Sequence, residues 1–109
     1  MAYDEYLAQR VRDVIGAEVG VDEKKMFGGL AILLDGNMAV GVSGDELMVR
    51  VGVDAFDEAL TNEGVRPFEM SGNRMNGWIL AGGVGIAEDI DLERWVGVGM
   101  DYAGSLPPK

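Results

Sequence analysis

The sequence predicts an α+β domain: a five-stranded antiparallel sheet with helices, in the order α-β-β-β-α-β-β-α. Three observations predict it. Apolar residues recur at spacings of three and four near both ends, the period of a helix with one buried stripe. Between the ends, short runs rich in Val, Ile, Leu and Met are broken by turns containing Gly, Asp or Asn, the pattern of strands in hairpins. Apolar residues make up 48% of the 109-residue chain, a composition that supports one cored domain over residues 1–109.

In the first element, Tyr3, Leu7, Val11, Val14 and Ile15 form the buried stripe of a helix, with Asp4 and Glu5 in its first turn. Gly16 and Gly20 bracket its end. The stretch from Lys24 to Gly36 then carries the chain from a helical pattern into the first strand, through Met26, Phe27, Gly28 and Gly29. An aromatic beside paired glycines reads as a packed corner, which makes Phe27 a core residue.

Leu30–Leu34, Met38–Val42 and Leu47–Val51 read as three consecutive strands. A three-residue loop, Asp35-Gly36-Asn37 with Asn37 left-handed, pairs Leu34 with Met38, Ile32 with Val40 and Leu30 with Val42. A four-residue loop then pairs Val42 with Leu47, Val40 with Val49 and Met38 with Val51, so one apolar face runs through all three strands. The opposite face carries Ala31, Leu33, Ala39, Gly41, Met48 and Arg50, which is unusually apolar for a surface meant only for water.

Asp54–Asn62 follows as a short helix, with Phe56, Ala59 and Leu60 inward. Val65–Met70 and Met75–Ala81 form a second hairpin, whose first strand Pro67 confines to a sheet edge. The last helix starts at an Asp91 N-cap and turns Leu92, Trp95, Val96, Gly99 and Tyr102 inward. Its glycines 97, 99 and 104 each weaken it by about 1 kcal/mol relative to alanine, so it relies on packing, chiefly through Trp95.

The chain has no cysteine and no histidine, which excludes thiolate metal sites, Cys nucleophiles and His-based triads. Nineteen acidic residues against nine scattered basic ones give a net charge of −10, the wrong balance for neutralising phosphates, so direct nucleic-acid binding is not expected. No apolar run is long enough for a membrane span and the N-terminus does not read as a signal peptide, which places the protein in the cytoplasm. Gly82-Gly83-Val84-Gly85 lacks the spacing of a dinucleotide loop and reads as a flexible loop. Glu88, Asp89, Asp91 and Glu93 lack calcium-loop spacing, and Asp4/Glu5 and Asp22/Glu23 have nothing to separate their pKa values. No catalytic residue, metal ligand or cofactor emerges.

Lys24-Lys25-Met26-Phe27-Gly28-Gly29-Leu30-Ala31 resembles the signature of the TfoX N-terminal domain family. Asn37–Val42, Arg66–Met70, Met75-Asn76-Gly77-Trp78 and the closing Ser105–Lys109 are similar to it as well. The resemblance implies a two-layer fold with the helices on one face of the sheet, grouped with secretion-chaperone-like folds. It also implies a link to regulation of natural competence, where the full-length regulator carries a second, C-terminal domain and acts with the cyclic-AMP receptor protein. It supplies no catalytic residues.

The sequence therefore leads to a non-enzymatic regulatory or adaptor domain that docks a protein partner or a second copy through the outer sheet face. Leu33 and Met48 are the expected anchors and Arg50 the rim, with Lys24 and Lys25 as further contacts. Met26, Phe27, Gly28, Gly29, Gly77, Trp78 and Trp95 are expected to be structural. The rivals are a small-ligand binder with a pocket between helices and sheet, and an enzyme built on carboxylates or Lys24/Lys25.

Overall fold

Strand β1 (Val21–Met26) opens a six-stranded antiparallel sheet, one strand more than the sequence predicts. In the computed structural model, which describes residues 3–26 and 28–109, the sheet continues through β2 (Gly29–Leu34), β3 (Asn37–Ser43) and β4 (Glu46–Arg50). It is completed by β5 (Val65–Met70) and β6 (Asn73–Ala81), in the order β1-β2-β3-β4-β6-β5. Helices α1 (Glu5–Ile15), α2 (Phe56–Ala59) and α3 (Asp89–Gly104) contribute to one core with the sheet.

Helix α1 forms where its stripe predicts. The Asp4 carboxylate caps it, accepting from the backbone N–H groups of Tyr6 at 2.8 Å and Leu7 at 3.2 Å. Gly16, at φ 65, ends it. The helix thus stops well before Lys24, and Val21–Met26 is strand. Strand β1 escaped the sequence reading because Asp22-Glu23-Lys24-Lys25 shows no apolar alternation. It is an edge strand held by its ladder to β2, from Val21–Leu34 to Met26–Gly29. Phe27, the expected corner residue, lies outside the described residues. Gly29 is needed for a close approach, since a Cβ there would sit 2.6 Å from the Val42 carbonyl oxygen.

Arg12 of α1 grips Glu23 of β1 with two hydrogen bonds, of 2.8 and 2.9 Å, tying the helix layer to the sheet edge. This bond holds the Glu23 carboxyl below its usual range. A depressed folded pKa stabilises above the unfolded value and is lost as pH falls through the folded one. Both side chains are about a third exposed (33% and 37%), so screening keeps the contribution small. Glu23→Gln is expected to cost about 0.5 kcal/mol at neutral pH. Paired urea melts should show the difference vanishing in acid.

The pairs Leu30–Val42, Ile32–Val40, Val42–Leu47 and Val40–Val49 form as the sequence predicts, and their side chains enter the core. The first turn differs. Asp35 (φ 52) and Gly36 (φ 85) make a two-residue connection, and the register shifts between Ile32 and Leu33 so that Leu33 pairs with Met38. One extra residue on β3, Ala39, restores the parity that a longer loop would have supplied. The expected pairs Leu34–Met38 and Met38–Val51 are thereby replaced, and Met38 moves to the outer face, where its methyl lies over Gly41. Asn37 is not the left-handed turn residue either. It is 2% exposed, and its side-chain amide donates to the Pro107 carbonyl at 2.9 Å, holding the C-terminal tail on the turn.

Strand β5 is the opposite edge, as Pro67 predicts. Helix α2 is shorter than expected, and α3 starts at Asp89 behind Glu88 rather than at an Asp91 cap. Glu88 makes no side-chain cap bond, and the acids of the first turn, Asp89 and Asp91, complement the helix dipole there. Gly99 proves to be a packing requirement. A Cβ there would lie 2.5 Å from the Ala39 carbonyl oxygen and 2.6 Å from Val40 Cγ1, so glycine lets α3 settle on β3.

Candidate functional site

With the helices on one side, the other face of the sheet is left without helical cover among the described residues. Residues from all six strands line a single hollow there of about 300 Å³. Small residues, Gly29 and Ala31, lie among larger walls supplied by Met26, Met38, Met48, Phe68, Met70, Met75 and Trp78. Five of the chain's seven methionines therefore meet in one place. Met26 and Met70, from the two edge strands, are 39% and 44% exposed. Unbranched thioether chains of this kind adapt their shape to what they touch.

The charges around the hollow are few. Lys24 pairs with Ala31 across β1 and β2, which puts it on the outer face beside Met26. Arg50 pairs with Trp78, and its guanidinium lies 5.2 Å from that ring and 5.4 Å from the Tyr102 ring. Neither cation forms an ion pair among the described residues. Arg66, by contrast, is bonded to Glu46, which raises the arginine's pKa.

The structure brings only part of the expected site together. Met48 lines the hollow and Arg50 stands next to its Trp78 wall. Leu33 is half-buried opposite Met38 and does not line it. Lys25 pairs with Leu30, whose side chain belongs to the core, so alternation turns it to the helix side, away from Lys24. Met26 and Trp78, expected to be structural, line the hollow instead. Phe68, Met70 and Met75 were missed as site residues. Seven methionines in 109 residues point to an adaptable surface somewhere in the chain, but no local pattern places these three residues on it.

The other candidate clusters resolve into structural contacts. A hollow of about 560 Å³ between α1 and the start of α3 is lined by Tyr6, Gln9, Arg10, Asp13, Asp89 and Glu93. Its cation, Arg10, donates to the Ile86 carbonyl at 2.9 Å and to Asp89 at 3.2 Å, so it serves the helix junction. The Gly82–Gly85 segment is a packed corner rather than a flexible loop. Gly82 N–H donates to the Gly64 carbonyl at 2.9 Å, and a Cβ on Gly64 would lie 2.5 Å from Gly85 N.

Residues 15–103 match the family model described as the TfoX N-terminal domain. The chain belongs to that family. No curated protein and no solved structure matches it. In this TfoX N-terminal domain the Gly77-Trp78 element acquires a physical reason. Gly77 adopts φ 92, and its carbonyl accepts from the N–H groups of Val51 at 2.9 Å and Gly52 at 3.1 Å. A Cβ on Gly77 would lie 3.1 Å from the Gly52 carbonyl carbon. The glycine thus lets β6 close against the end of β4 and sets Trp78 into the wall. Gly77→Ala is expected to cost about 2–3 kcal/mol from backbone strain and crowding together. Denaturant unfolding checks the loss, and Trp78 fluorescence should change with it.

Proposed function

We propose that this TfoX N-terminal domain is a non-enzymatic regulatory or adaptor module that acts by protein–protein contact through the helix-free face of its sheet. The observation that carries the reading is the methionine-lined hollow on that face. Soluble domains seldom leave a contiguous apolar concavity open unless something docks there. Family membership supports a regulatory role connected with competence, and we place that role in the cytoplasm. Among the described residues no helix is long and apolar enough to cross a membrane.

A second reading, a small apolar ligand in the same hollow, is favoured by its volume of about 300 Å³, at the small end for ligand pockets. It is the weaker reading, because the lining offers almost no polar group to orient a small molecule.

The test is affinity capture from the native host with the wild-type chain and with Met48→Glu, which places a charge in the hollow. A specific protein retained by the wild type and lost by the variant, with both folded by circular dichroism, is the expected result. Equal capture by the two would contradict the reading.

A further inference from the structure

We propose that the hollow receives an acidic amphipathic helix of another protein, its apolar stripe seated among the methionines and its flanking carboxylates meeting Lys24 and Arg50. This rests on the reading that the helix-free face is a docking surface.

The backbone chemistry selects a helix. The hollow is walled by side chains on the face of a sheet whose strands are already paired with one another in one continuous ladder. An extended segment lying there would bury N–H and C=O groups with nothing to bond to. A helix arrives with its backbone bonds made internally and presents an apolar stripe at i, i+3, i+4 and i+7. Five flexible thioethers, with Phe68 and Trp78, accept such a stripe without demanding one shape.

The charges select the flanks. The chain as a whole is strongly acidic, at −10, yet the cations at this face are Lys24 near Met26 and Arg50 over Trp78, neither matched by a carboxylate among the described residues. Arg66 is neutralised by Glu46. Lys24 and Arg50 each pair with a residue that lines the hollow, Ala31 and Trp78, whereas Asp22, on the same face of β1, pairs with Leu33, which does not. The unmatched charge beside the hollow is thus positive. A second copy docked face to face would set Lys24 and Arg50 against the same two cations, so the charge at this face disfavours it.

The experiment is a methyl-NMR titration of the full chain labelled at methionine methyls. The probes are two synthetic helical peptides of about 16 residues, long enough for four turns. Both carry the same leucine stripe, flanked by glutamates in one and lysines in the other. The glutamate peptide should shift the methyls of Met26, Met38, Met48, Met70 and Met75, and leave Met100, which packs against the core, in place. It should bind about tenfold more tightly than the lysine peptide at low salt, with the gap closing as salt rises. Lys24→Glu with Arg50→Glu should reverse the preference, with the Met100 methyl reporting that the fold is kept.

Equal affinities, no binding by either peptide, or a preference that survives the double variant would overturn the proposal. So would movement of the same five methyls with protein concentration alone, the mark of a second copy. Should Met48→Glu abolish capture from the host while neither peptide is preferred, the docking surface stands and the acidic helix falls. Should capture also be unaffected, both fall.

Discussion

Replacing Trp95 by alanine is expected to lower the unfolding free energy by about 3–5 kcal/mol, the range for emptying a large aromatic site in a core. Trp95 is 4% exposed and belongs to the cluster that joins α1, α2 and α3 to the sheet. Helix α3 contains Gly97, Gly99 and Gly104, each worth about 1 kcal/mol less than alanine in helix propensity. Its retention therefore depends on the contacts of Leu92, Trp95 and Val96. At about 4–5 °C per kcal/mol the melting temperature should fall by roughly 12–25 °C. Trp95→Phe should behave differently. The Trp95 indole N–H is buried without a hydrogen-bond partner among the described residues, so its removal relieves a desolvated donor. That relief offsets part of the lost ring volume, and the phenylalanine variant should lie within about 1.5 kcal/mol of wild type. Thermal unfolding of the two variants side by side checks both the packing and the unpaired donor. A phenylalanine variant as unstable as the alanine one would mean that the N–H is bonded.

The inner face of the sheet was readable from the sequence because period-two alternation is local. Ile32, Val40, Val42, Leu47 and Val49 needed only their own strands and two turns to be placed in the core. The rest depended on information that local patterns do not carry. The charges of β1 concealed an edge strand that is stabilised by its ladder to β2 rather than by burial. The extra residue at Ala39 broke the assumption of an unbulged ladder, and with it the placement of Met38. Periodicity along α3 puts Gly99 on its inward side, but the need for glycine there lies in the close approach of α3 to Ala39 and Val40, far away in the chain.

The outer face was half legible. Met48 and Arg50 followed from alternation along β4, and both stand at the hollow or its border. Phe68, Met70 and Met75 could not follow. Their position depends on β4 pairing with β6, as in Met48–Leu80 and Arg50–Trp78, across the intervening α2 and β5. The concavity arises only once that pairing gathers both hairpins into one sheet.

The two faces of this sheet do different work: one forms the core, and the other carries a hollow open to water. Met48 and Val49 are neighbours on β4 and test it within two adjacent residues. Val49 is 0% exposed and sits in the core cluster, so Val49→Glu buries an unpaired carboxylate and should cost at least about 4 kcal/mol, enough to unfold a marginal domain. Met48 lines the outer hollow, where a glutamate reaches water, so Met48→Glu should cost no more than about 1 kcal/mol. The measurement is thermal unfolding of the two variants beside wild type. A cooperative transition within about 5 °C of wild type is expected for Met48→Glu, and its loss for Val49→Glu. Unfolding by Met48→Glu as well would make the outer face part of the core, and the sheet would then have no open face.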